Sequence, residues 1–222
     1  MAKKRQPVLQ QPQQPEQDTL ILFLSGTAKF VKAHKKAVIA AVVILVLAAV
    51  LGITYTAHVK KVQEQSWAAY YNAQLAVMAD PSAVSQLDGV ALQFPGTQAA
   101  QYAQLLKGDI LYAGENYAQA ADVYEPLLNA HNETLRTVAT LSLAAARQAT
   151  KDYDGSIKLM TQFIENNPKS FALPQAYFTL AMSYELADQK AQAVEAYQQL
   201  LANYTKTYFG TVAKDKLAVL NK

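Results

Sequence analysis

The sequence predicts an all-α protein: one membrane-spanning helix near the N-terminus, then an α-solenoid of about four helix pairs closed by a C-terminal cap helix. Three observations predict it. Residues Ala37–Ile53 are all apolar or Gly. Similar residues recur every 36–37 positions from about residue 64 onward. No strand-like alternation of apolar and polar residues follows Lys61, and a period of this length marks a stacked array.

Taken in chain order, residues 1–36 form a basic tail. Its first eighteen residues, MAKKRQPVLQQPQQPEQD, are rich in Gln and Pro and predict disorder. Residues Thr19–Val31 are apolar but short. They read as an interfacial helix with Phe23 and Phe30 at headgroup depth, or as a continuation of the adjoining span.

Residues 37–57 are the predicted span. The apolar run is extended by Thr54, Tyr55, Thr56 and Ala57 to 21 residues before His58, and about 20 helical residues cross the ~30 Å hydrocarbon core. A cleaved signal peptide would have a shorter apolar region and small residues before its cut. Here Tyr55 occupies the −3 place relative to Ala57, so an uncleaved anchor is expected. Lys29, Lys32, Lys35 and Lys36 precede the span and only Lys60 and Lys61 follow closely. The positive-inside rule then puts the N-terminus in the cytoplasm and residues 58–222 across the membrane, in a periplasm if the cell is bacterial.

Four repeat units begin near residues 64, 101, 137 and 174. The turns inside them are Asp80-Pro81-Ser82, Gly114-Glu115-Asn116, Lys151-Asp152 and Asp188-Gln189, all turn or N-cap chemistry. Small residues fall where paired helices should cross: Gly108, Ala144 and Ala181 on first helices, Ala83, Ala120 and Ala193 on second ones. Tyr124, Met160, Tyr197 and Leu200 are then the space-filling residues between pairs. Pro126 should kink a second helix. Residues Gly210–Asn221 suit a cap helix.

The distribution of charge excludes one function class. Residues 1–36 hold seven Lys/Arg and two acids, whereas residues 60–222 hold thirteen and fifteen. A nucleic-acid binder concentrates positive charge on its folded domain, so no nucleic-acid partner is expected. Cysteine is absent, which removes thiolate metal sites, disulfides and cysteine nucleophiles. His34, His58 and His131 are far apart. No phosphate loop, HExxH or GxSxG is present, and Asp152 and Asp154 flank a turn as caps would. No catalytic residue, metal or cofactor is expected. Two glycosylation sequons, at Asn132 and Asn203, are treated as chance.

The units resemble tetratricopeptide repeats (TPR). Residues 151–157 with Pro168, and Tyr177 through Tyr197, carry the resemblance best; Gly108, Tyr117, Ala120 and Tyr124 carry it in the second unit, and Trp67, Ala83 and Pro95 in the first. The layout of basic tail, single anchor and repeats, together with residues 135–144 followed by Tyr153 and Ile157, is similar to the bacterial ancillary SecYEG translocon subunit family. That resemblance implies an inner-membrane adaptor that associates with the translocon and with a periplasmic prolyl-isomerase-type chaperone. The last repeats, with residues 204–207 before Ala213 and Leu217, look equally like the cell-division coordinator family of the Tol-Pal system. Its members are normally secreted, and the span weighs against it. In that reading the repeats scaffold an envelope assembly or self-associate.

In TPR folds the first helices line the concave face. Carried over from the family, the groove positions are Tyr102, Leu105, Asp109, Tyr112, Val138, Leu141, Gln148, Phe178, Met182, Glu185 and Leu186. The set lacks the Lys/Arg/Asn clamp that holds an acidic peptide terminus, so apolar or amphipathic segments are the expected ligands. The same positions would be core if a neighbouring turn or residues 210–221 fill that face.

Overall fold

A computed structural model describes Leu24, Ser25, Thr27 and residues 29–220. The predicted disordered tail and Phe23 lie outside these residues. The elements are helical throughout, with no strand among the described residues. Contacts divide the chain into two units, one ending at Val59 and one beginning at Lys60.

In the first unit the dominant element is the start of α1, Lys35–Ala79. This helix contains an 18-residue window of mean hydropathy 3.0, none of it buried, so it is long and apolar enough to cross a membrane. A soluble core helix of that composition would be covered by other elements. Thr54 donates to Val50 O at 3.0 Å and Thr56 to Ile53 O at 2.9 Å. Both hydroxyls are thus satisfied inside the helix, as an apolar environment demands.

No Gly or Pro stands between Thr56 and Ala79, and α1 runs through this stretch without a break. Its last turns supply the first helix of the second unit, where Ser66, Tyr70, Ala73 and Val77 are buried at helical spacing. Asp80 ends it, accepting from Ser82 N at 2.9 Å, and Pro81–Val84 forms a 3₁₀ turn. The second unit continues with α2 (Ser85–Gln93), α3 (Gln98–Ala113), α4 (Tyr117–Tyr124), α5 (Glu133–Ala149), α6 (Tyr153–Asn166), α7 (Leu173–Leu186), α8 (Lys190–Tyr204) and α9 (Tyr208–Leu220). These form four pairs, counting the end of α1 with α2, plus the cap helix. Pro126 does more than kink its helix: α4 stops at Tyr124 and the chain continues as a 3₁₀ turn, Glu125–Asn129.

The turns inside the last three pairs are copies of one another. Glu115, Lys151 and Asp188 have φ of 61°, 67° and 59°, at the same 36- and 37-residue spacing as the sequence repeat. Each is followed by an amide that reaches back five residues: Asn116 to Leu111 O, Asp152 to Arg147 O and Gln189 to Tyr184 O, at 2.8–2.9 Å. This is a Schellman closure with a non-glycine residue in the left-handed position, which costs about 1–2 kcal/mol at each turn. Packing between pairs must offset that cost.

The packing follows one rule. Gly108, Ala144 and Ala181 are the same position of three first helices; Tyr124, Met160 and Tyr197 are the same position of the three second helices. All six are buried. A Cβ on Gly108 would overlap the Tyr124 ring, with Cδ1 and Cζ both within 2.8 Å. The Tyr124 hydroxyl donates to Asp109 Oδ1 at 2.7 Å, so the ring cannot swing aside without losing that bond. Polar groups are also closed. Ser183 donates to Thr179 O at 2.8 Å and accepts from Gln148 Nε2 at 2.7 Å and from Ser156 at 2.9 Å. Among the described residues no buried side-chain nitrogen or oxygen lacks a partner.

Gly108→Ala is therefore expected to lower stability by about 1–3 kcal/mol, read as a lower thermal midpoint. A midpoint equal to that of the parent would show that the Tyr124 ring has room to retreat.

Candidate functional site

The predicted groove residues separate into three environments. Leu105 and Leu141 are buried in the core. With Phe178 they occupy one repeat position, at spacings of 36 and 37, which packs against neighbouring helices. Phe178 sits between α8 and α9, its ring 6.1 Å from Tyr197 and 5.4 Å from Phe209. Met182 is half-buried against the same cluster. Tyr102 is half-buried on the first pair, its ring 5.6 Å from Trp67 and 6.5 Å from Tyr70. These side chains hold helices together.

Tyr112, Val138 and Leu186 are exposed, at 36%, 36% and 46%. Tyr112 stands edge-on to Tyr117 at 5.0 Å. The polar members of the predicted set also separate. Gln148 bridges α5 to α7 through Thr179 O and Ser183. Glu185 is fully engaged: both carboxylate oxygens receive Lys216 Nζ of α9, at 2.9 and 3.0 Å, and Oε2 also receives the Tyr197 hydroxyl at 3.0 Å. Asp109 receives Tyr124 and no cation among the described residues.

Asp109, Tyr112, Tyr124, Ser142 and Ala145 line a cavity of about 180 Å³ between α3, α4 and α5. Two of these five, Asp109 and Tyr112, are predicted groove positions, whereas the sequence predicts Tyr124 as a space-filler between pairs. Nothing in a single sequence announces that its hydroxyl reaches a carboxylate fifteen residues earlier. Burial pushes the Asp109 carboxyl above the usual carboxylate range, against the opposing pull of the Tyr124 hydrogen bond. Burial, then the bond to Asp109, pushes the Tyr124 phenol far up, so Tyr124 remains a neutral donor.

Among the described residues there is no cluster of three His or carboxylate side chains able to hold a metal ion. His131 is exposed in the connection before α5.

This architecture is that of a TPR-like solenoid, a fold that typically serves as a non-catalytic scaffold for protein–protein contacts. The family described as "Tetratricopeptide repeat-like domain" matches residues 28–220, and the chain belongs to it. The matched stretch includes the apolar segment as well as the repeats. Among solved structures, the chain is similar to Podosopora anserina putative kinesin light chain TPR-like repeats, at 19% identity over 73% of this chain and 85% of that one, with a TM-score of 0.52. The Q17M form of the same repeats matches at 18% identity over 73% and 84%, also with a TM-score of 0.52. A double mutant of MamA from RS-1 matches at 18% identity over 70% and 89%, with a TM-score of 0.51. At these identities the likeness shows the fold alone. No curated protein matches the chain.

The two kinds of groove residue should separate on mutation. Phe178→Ala is expected to cost about 2–4 kcal/mol, whereas Tyr112→Ala should cost about 1 kcal/mol or less. Chemical denaturation of the two variants checks this, and equal losses would make Tyr112 a core residue as well.

Proposed function

We propose that this protein is a membrane-anchored, non-catalytic TPR adaptor working beside the protein-export channel of a bacterial inner membrane. Residues 1–36 are the cytoplasmic tail, residues 37–57 the span and residues 58–222 the periplasmic domain. Its partners are translocon subunits, a periplasmic prolyl-isomerase-type chaperone or exported chains, held through helix and groove contacts. The observation that carries the reading is an unburied apolar segment of membrane length running in one unbroken helix into a TPR-like solenoid.

Further support comes from charge and from family. Four lysines stand just before the span against two just after it, which favours an N-terminus inside. The layout of tail, anchor and repeats is similar to the ancillary SecYEG subunit family. A partner site on the repeats requires apolar side chains free to meet a ligand, and Tyr112, Val138 and Leu186 supply them.

The anchor decides between this adaptor and a scaffold that acts through its repeats alone. Replacing residues 37–57 with an unrelated span of equal length is expected to abolish co-purification with the translocon while leaving the protein membrane-bound. Undiminished co-purification would contradict an adaptor that uses its own helix beside the channel, and would favour the scaffold.

A further inference from the structure

Two second helices carry a tyrosine at the same repeat position, Tyr124 and Tyr197, 73 residues apart. Each donates its hydroxyl to a carboxylate on the preceding first helix, Asp109 and Glu185 respectively. Glu185 lies one helical turn further along its helix than Asp109 does. The two sites differ in the helix stacked against them. At the fourth pair that helix is α9, which brings Lys216 onto both oxygens of Glu185. At the second pair it is α5, which presents Ser142 and Ala145, and a cavity of about 180 Å³ stands where a cation would sit. Oδ2 of Asp109 makes no hydrogen bond or ion pair among the described residues.

The fold thus contains the same tyrosine–carboxylate arrangement twice, once closed by its own lysine and once open. The cavity is smaller than the ~300–1,000 Å³ of a typical small-molecule site. It suits a single long side chain. An aromatic wall beside a carboxylate suits a cationic head on an aliphatic stem.

We propose that the cavity between α3, α4 and α5 takes one lysine or arginine side chain of a partner polypeptide, its cationic head on Asp109 Oδ2 and its stem along Tyr112. This inference rests on the adaptor reading and names the chemistry of the ligand. An apolar segment bearing one basic residue fills the site, and the exposed Val138 of α5 offers apolar surface for the rest of such a segment. The elevated carboxyl of Asp109 is consistent with an acid that lacks a cation in the unliganded protein, and ligand binding should bring it down.

The test uses the full chain in detergent micelles with 3-fluorotyrosine at position 112, followed by fluorine NMR. The probe is the peptide acetyl-Ala-Leu-Arg-Leu-Ala-amide, with its citrulline counterpart as a neutral isostere and putrescine as a free cation. The arginine peptide is expected to shift the fluorine signal saturably, with affinity at least tenfold above that of the citrulline peptide. Asp109→Asn should remove that preference, and thermal unfolding should show that the variant remains folded. Equal shifts from both peptides would overturn the cation site while leaving a groove for apolar segments intact. No shift from either would overturn the site itself, with the adaptor reading still judged by the span replacement. Saturation by putrescine as tight as by the arginine peptide would overturn the polypeptide as ligand.

Discussion

The last three helix pairs of the second unit depend on a small residue facing a large one across the pair. Gly108 faces Tyr124; in the next two pairs Ala144 and Met160, then Ala181 and Tyr197, fill the same two positions. One pair of helices cannot cover its own apolar surface, so each pair is stable only against its neighbours. A small residue lets the two axes approach, and the large one then reaches beyond its own pair. Where the large residue is tyrosine it carries a polar tip, which must be satisfied inside. The carboxylates of Asp109 and Glu185 do this. The packing rule and the placement of acidic groups on the first helices are therefore one constraint. The left-handed turn residues Glu115, Lys151 and Asp188 are tolerated because this packing fixes how each second helix returns along the first.

Much of this was legible in the sequence, because a repeat writes the same constraint several times. The spacings of 36 and 37 locate the turns, the large residues between pairs and the small residues at the crossings, except Ala83, which lies half-buried in the 3₁₀ turn Pro81–Val84 rather than on α2. Pro126 ended its helix as its missing amide requires. Other features left no such mark. His58, Lys60 and Lys61 mark the end of the apolar run, but no Gly or Pro in residues 57–79 breaks the backbone there, and α1 continues through it as one helix. Leu105, Leu141 and Phe178 share one repeat position, yet period alone does not tell a residue packed on a neighbouring helix from one facing solvent. Their burial is a property of the stacked neighbour. The Ser156–Ser183–Gln148 network and the pairing of Tyr124 with Asp109 join residues far apart in the chain, with no local signature.

The apolar surface left exposed at the predicted groove positions is accordingly smaller than the full set suggests. At the C-terminal end α9 completes the stack, with Lys216 neutralising Glu185 and Phe209 covering Phe178. Toward the middle, α3 and α5 leave Tyr112, Val138 and one oxygen of Asp109 without such cover. A terminal helix that closes one end of an array, and an interior left open, is a division of labour that one repeated unit achieves by changing few side chains.

The most direct test of a membrane-tethered partner site is site-specific photocrosslinking from position 112 in intact cells, with products identified by mass spectrometry. Crosslinks to translocon subunits, a periplasmic chaperone or exported chains are the expected result. Crosslinks confined to a second copy of the chain would contradict it, making that face an assembly surface rather than a site for partners.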